Sequence, residues 1–229
     1  MNDMDRQQEV YRSLIGRNDT VFDVGANIGN RSAVFQSLCK KVIAVEPQII
    51  LAEQLKCRFK DSNVTVVNEA VGAQPGTGKM FIPSDGSLGR HGVGTLSREF
   101  QQAMGPKVFN LDKGWDTEQT VHITTLDNLI TWYGLPSFIK LDIEGYELQA
   151  VQGLSQKINA LSFEFHPQLF QEAREITLRL ELLGFTEFNY CLAEEFQWKM
   201  DRWKRRSDLL DDIYKYVGDD NIYGDCYAR

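Results

Sequence analysis

Short apolar runs alternate along this chain with stretches whose apolar residues fall at helical spacing, and that alternation limits its fold more than any other feature. Strands separated by helices pair in parallel, because each helix carries the chain back to begin the next strand beside the last. "TVFDVG", "KVIAVEP", "NVTVVNEA", "PSFIKLDIEG" and "ALSFEFHP" read as the first five strands, and "FTEFNYCL" and "NIYGDCYAR" as two more. Helices are expected at "RSAVFQSLCK", "IILAEQLKCRF", "YELQAVQGL" and "FQEAREITLRLELLGF". In the second, Ile50, Leu51, Leu55 and Phe59 fall at helical spacing; in the third, Leu148, Val151 and Leu154 face inward. Gly184 closes the fourth as a C-cap. No repeat or linker divides the 229 residues, so residues 1–229 are read as a single α/β domain.

Two regions break the rhythm. Residues 73–120 carry "QPGTGKMFIPSDGSLGRHGVGTL", rich in Gly, Ser and Pro, which is too long for an ordinary connection and is read as a functional loop. Within it, residues 84–98 have the character of a lid over an acceptor, flanked by Trp115 and the acidic "DKGWDTE". Residues 192–218 form a charged, aromatic segment before the last strand.

Composition narrows the function. A formal charge of −7 argues against a general nucleic-acid binder. Cys39, Cys57, Cys191 and Cys226 are scattered without a CxxC pair and read as free thiols of a reducing compartment. The opening "MNDMDRQQEV" has no apolar signal segment, and no apolar run approaches the ~20 residues of a membrane span, so a cytoplasmic protein is expected.

The chemistry starts at "VFDVGANIGN", where a strand runs into Gly25 and Gly29. A glycine turn after the first strand of an open α/β sheet lines the ligand crevice, and glycine lets backbone approach a ligand closely. Asn27 between them tolerates a left-handed conformation. Glu46 ends the second strand 21 positions after Gly25, where such folds hold a ribose diol, so a nucleoside-containing cofactor is expected. The pattern Asp23-x-Gly25-x-Asn27-x-Gly29 is not the G-x-G-x-x-G of dinucleotide sites. A carboxylate before the first glycine suits an ammonium better than a pyrophosphate, which favours S-adenosylmethionine over a nicotinamide cofactor.

With "FDVGANIGN", "VIAVEPQ", "VNEAVG", "ITTLDNLI", "FIKLDIEGYE" and "FEFHP" in that order, and "IYGDCYAR" at the end, the chain resembles the FkbM-type family of S-adenosylmethionine-dependent methyltransferases over residues 20–168. The resemblance implies a class I methyltransferase, Rossmann-like fold, with a seven-stranded, mostly parallel sheet, an antiparallel last strand and helices on both faces. It implies methyl transfer to an oxygen, commonly a hydroxyl of a sugar or polyketide, with S-adenosylhomocysteine as product. It places Gly25, Ala26 and Gly29 beside the methionine part of the cofactor, and Asp23 near its amino group. Asn27 and Pro47 belong to the same cofactor set, Glu46 holds the ribose, and Glu69 with Ala70 meets the adenine.

Lys140, Asp142 and Glu144 alternate and so point to one side of an extended strand. Three charges there are costly if buried unpaired, and a strand end in the ligand crevice is the cheaper place for them. Asp142 is expected nearest the transferred methyl, as base or as positioner of the acceptor hydroxyl. Lys140 joins it, or only closes the strand end as its ion-pair partner. Glu164 and His166 alternate in the same way, and His166 is a candidate proton acceptor. Asp142, Glu164 and His166 could instead bind Mg²⁺; the Asp–Asn pair that usually completes such a site is absent, and no metal is expected. His91 and His122 read as surface or loop residues.

"WKMDRWKRRSDLL" gathers Lys199, Arg202, Lys204, Arg205 and Arg206 with Trp198 and Trp203. If functional, it lies near the acceptor mouth and selects an anionic acceptor or stacks on a base; otherwise it is a solvated face balanced by the acids that follow. The leading expectation is an O-methyltransferase acting on a sugar, glycan or glycosylated metabolite. Nucleic-acid methylation, a catalytically silent cofactor-binding module and a dehydrogenase are the competing readings.

Overall fold

The computed structural model describes residues 3–83, 93–108 and 114–229. The chain runs α1 (Asp3–Arg12), β1 (Thr20–Val24), α2 (Asn30–Leu38), β2 (Lys41–Val45), α3 (Ile49–Arg58), β3 (Val64–Val67), β4 (Ala70–Val71) and β5 (Gly76–Ile82). It continues through α4 (Arg98–Val108), β6 (Thr117–Thr124), α5 (Leu126–Tyr133), β7 (Phe138–Leu141), α6 (Glu147–Gln152) and β8 (Ala160–Phe165). α7 (Phe170–Leu182), β9 (Phe188–Leu192), α8 (Arg206–Tyr214) and β10 (Gly224–Ala228) complete it.

Seven strands form the main sheet in the order β3-β2-β1-β7-β8-β10-β9. All of its pairings are parallel except those of β10, which runs antiparallel to both β8 and β9. This is the Rossmann-like sandwich the sequence leads one to expect. Side chains alternate across it: Phe22, Val24, Ile139 and Leu141 meet Leu126, Val151 and Leu180 on one face. Val21, Val42 and Phe138 meet Val10, Tyr11 and Phe35 on the other. The polar sequence of α1 hides this second role; Tyr11 is fully buried and packs edge-on against Phe35 with 4.7 Å between ring centroids.

Helix positions follow the predicted spacing, although Ile50 is exposed while Leu51, Leu55 and Phe59 are buried. Gly184 follows the end of α7 with φ of 100°, the left-handed geometry of a C-cap. All four cysteines are free thiols. Among the described residues no helix is long and apolar enough to cross a membrane.

The stretch read as one strand, "NVTVVNEA", divides. β3 stops at Val67, and Ala70–Val71 joins a second, three-stranded sheet of order β4-β6-β5. The 73–120 region is therefore not a plain loop: it builds β5, α4 and the start of β6. Alternation reveals these strands only weakly, because Gly76 and Gly78 dilute β5, whose apolar end Met80–Ile82 is buried. Residues 84–92 of the expected lid, His91 included, lie outside the described residues.

Candidate active site

β1 is the point where strand order reverses, with β2 on one side and β7 on the other, and a cleft opens at the carboxyl ends of these three strands. Gly25, Asn27, Glu46, Pro47, Glu69, Ala70 and Asp142 line it. The second sheet and its flank supply Met80, Gly94 and Leu96 as an apolar wall.

The glycine turn is held by the protein itself. The amides of Gly25 and Ala26 donate to the Val45 carbonyl, that of Asn27 to Glu46 Oε2, and that of Gly29 to the Ala26 carbonyl. These amides are thereby withheld from a phosphate. A Cβ on Gly25, at φ of 84°, would overlap the Asp142 carbonyl. One on Gly29 would come within 2.6 Å of Leu55 and Phe59. The close approach that glycine allows here is thus first of all one between protein segments. Ala26 is buried, and neither it nor Gly29 lines the cleft.

Glu46 is 3% exposed, and its second oxygen accepts from the Gln48 amide at 2.9 Å. Burial pushes its carboxyl up to about 7 in spite of the two amide bonds. Behind it, Asn68 Nδ2 donates to the carbonyls of Glu46 and Pro47, and Gln119 donates to Pro47 as well. Asn27, at φ of 51°, contributes a buried Oδ1 without a hydrogen-bond partner. A buried acceptor without a partner, a carboxylate fixed by two amides and an apolar wall fit a nucleoside bearing an ammonium tail.

Asp23 does not reach the cleft. It is 1% exposed, accepts from Ser32 Oγ at 2.5 Å, and sits opposite Lys140 in the β1–β7 register. Burial raises its carboxyl against the pull of Lys140 and Ser32. Lys140 is also buried, with its ammonium 2.5 Å from Asp142 and 3.9 Å from Asp225. Burial alone would lower it, but Asp142 and Asp225 hold it above the ordinary lysine range, so it serves as a fixed cation rather than a base. Burial likewise raises Asp142, and the charge and hydrogen bond of Lys140 more than reverse this, leaving a carboxylate ionised below its usual range.

A second cavity adjoins the first. It is lined by Met104, Glu144, Glu164, His166, Asp220 and Tyr223, among others, and Glu144 borders both cavities. His166 Nε2 and Glu164 Oε2 are 3.2 Å apart. Burial and then the Asp142 charge raise Glu164; burial lowers His166, but Glu164 raises it further, so the ring keeps its proton to higher pH than a free histidine. Phe100 meets His166 edge-on at 5.5 Å and Trp115 edge-on at 6.2 Å, and the Trp115 indole donates to the Val93 carbonyl. His122 is exposed on β6.

Alternation puts Lys140, Asp142 and Glu144 on one side of an extended strand, and Glu164 with His166 on one side of another, but it gives Glu144 no part of its own. The strand ends at Leu141, and Glu144 turns into the left-handed region at φ of 54°. Its carbonyl accepts from Thr95 Oγ1 at 2.6 Å. Burial and the charges of Glu164 and Asp142 raise it well above the carboxylate range. Residues 220–223 reach the site only because β10 begins beside the end of β8, Gly224 opposite Phe165.

The basic segment lies elsewhere. Lys204 pairs with Phe188, which faces Ala228, which faces Leu161 near the start of β8, so the Lys204–Arg206 part of the segment is at the opposite end of the sheet from the cavity, and Lys199 lies beside Tyr190 in mid-strand. Lys199, Lys204 and Arg206 pair with Glu195, Asp201 and Glu181, and Trp198 packs edge-on against Tyr227 at 4.9 Å. The expected position at the acceptor mouth is thereby corrected, and with it the ground for an anionic acceptor.

The methyltransferase FkbM domain model matches residues 23–190, most of the chain. The chain belongs to the FkbM family of S-adenosylmethionine-dependent methyltransferases. It is similar to hexuronic acid methyltransferase AglP of Haloferax volcanii, 25% identical over 170 residues, which are 71% of this chain and 62% of that protein. It is also similar to the crystal structure of methyltransferase FkbM from Methylobacillus flagellatus, at 17% identity and a TM-score of 0.49, over 93% of this chain and 44% of that one. The precorrin 8w decarboxylase of Methanobacterium thermoautotrophicum, at 11% identity and a TM-score of 0.50 over 97% and 88% of the chains, shares the fold.

Proposed function

We propose that this FkbM-family chain acts as one methyltransferase domain and methylates a hydroxyl of a sugar, glycan or glycosylated metabolite. The observation that carries this reading is the meeting of two cavities at Glu144, one built around Glu46 and the other around Glu164 and His166. That the Haloferax relative is a hexuronic acid methyltransferase supports the carbohydrate class. The free thiols fit a cytoplasmic setting.

Glu46 would hold the ribose hydroxyls, Asn27 Oδ1 the ammonium tail, and Ala70, Met80 and Leu96 the adenine. When bound, S-adenosylmethionine supplies a methyl group on a sulfonium, already electrophilic. The protein's work is then to align the acceptor oxygen, which in favourable cases supplies roughly 7–11 kcal/mol. Asp142, ionised by Lys140 and lining the first cavity beside Glu144, receives the hydroxyl proton. A weak base suffices, because the oxygen becomes strongly acidic as its bond to the methyl forms. Glu164 and His166 orient the acceptor, and Lys140 is a positioning residue that keeps Asp142 charged.

Incubation with methyl-tritiated S-adenosylmethionine and a panel of sugars, glycans and RNA tests the reading. Label is expected in the carbohydrate fraction. Asp142→Asn is expected to lower kcat by about 10²-fold or more while S-adenosylhomocysteine affinity stays within a few-fold. Label confined to RNA, or no transfer to any hydroxyl, overturns it.

A further inference from the structure

We propose that Glu144, Glu164 and His166 form a divalent-cation site on the wall of the second cavity. One potential ligand atom from each side chain lies within 4.8 Å of the other two. Ligands held at about 2.0–2.4 Å from one ion stand within about 4–5 Å of one another, so the three can share it. They come from two adjacent structures, the end of β8 and the turn after β7, whose register is fixed by the sheet.

An independent observation points the same way. Glu144 Oε2 is buried and has no hydrogen-bond partner. Such an atom is destabilising unless something satisfies it. The residue is kept there by a left-handed backbone, by the Thr95 bond to its carbonyl, and by Gly145, where a Cβ would come within 2.6 Å of Phe100. Local strain is thus retained to hold a carboxylate whose second oxygen the protein leaves bare.

The set differs from the one suggested by sequence. Asp142 Oδ2 is already held by Lys140 Nζ at 2.5 Å, and Glu144 takes its place. Two carboxylates with one imidazole suit Mn²⁺ or Zn²⁺ better than Mg²⁺ or Ca²⁺, which prefer oxygen alone. The rest of the coordination sphere would face Tyr223 and Asp220 across the cavity. A bound cation would hold Glu144 and Glu164 in their charged forms and could chelate two acceptor oxygens. The inference rests on the proposed function only for that last consequence.

Mn²⁺ titration of the full chain, followed by loss of the free-ion paramagnetic resonance signal, tests the site without an acceptor. One Mn²⁺ per chain is expected, weakened about ten-fold or more in both Glu144→Gln and His166→Ala. Thermal melts and S-adenosylhomocysteine binding by His166→Ala check that the variants fold. An undiminished free-ion signal with wild-type protein, or Mn²⁺ affinity unchanged in both folded variants, overturns the proposal. S-adenosylhomocysteine binding and methyl transfer are read separately, so loss of the cation site alone leaves the methyltransferase reading standing.

Discussion

Glu46 is a carboxylate that the fold has already half satisfied. Two backbone amides hold it, burial still raises it to about 7, and its remaining lone pairs border the cleft. Unfolded, the same group ionises near 4.5, so between about 4.5 and 7 the folded state binds the extra proton. Its contribution to stability is therefore fully present below 4.5 and is lost as pH rises through 7, by roughly 3 kcal/mol for a shift of this size. Ribose hydroxyls donating to the carboxylate favour its charged form, which opposes that loss. Calorimetric affinity for S-adenosylhomocysteine is expected to rise between pH 6 and 8. In Glu46→Gln that rise should vanish and affinity should fall about ten-fold or more, since about 1.4 kcal/mol is one decade.

Elements meet most tightly where β1 leaves the sheet. Gly25 lies against the Asp142 carbonyl just after β7, so the glycine turn and the turn after β7 are set by one contact. Gly25→Ala is expected to destabilise the protein by at least ~2–3 kcal/mol, through overlap with backbone and a left-handed φ. Gly76 has open space and no positive φ, and Gly76→Ala is expected to be neutral or slightly stabilising. Urea midpoints of the two variants separate the cases. The strand rhythm was legible because β1, β2, β7 and β8 are buried on both faces and read as continuous apolar runs. α1 and β5 were not: among its described side chains the first buries the apolar pair Val10 and Tyr11 in an otherwise polar run, and the second carries glycines and an exposed first half.

Among the described residues, the acids around the second cavity and the basic segment stand apart in the molecule. The carboxyl ends of the strands collect Asp142, Glu144, Glu164 and Asp220, while the basic segment, its Lys204–Arg206 part at the far end of the sheet, spends its charges on ion pairs. The doubled charge reversal Arg202→Glu with Arg205→Glu is expected to leave acceptor KM and S-adenosylhomocysteine affinity unchanged, because both side chains are exposed far from the cavities. A several-fold rise in KM under steady-state assay would return that segment to the acceptor path.

By itself the sequence determined the alternation of the main-sheet strands with helices, the place of Glu46 at the end of the second strand, and the places of Asp142, Glu164 and His166 at two strand ends. All of these follow from spacing within one or two neighbouring elements, where period and strand geometry act locally. Only the tertiary structure decided that Asp23 is buried against Ser32 and Lys140, and that Glu144 joins the two cavities. It also decided that residues 220–223 close the second cavity and that the basic segment stands apart. Each of those outcomes depends on which strand lies beside which and in what register, and pairing between segments far apart in the chain leaves no periodic trace in either of them.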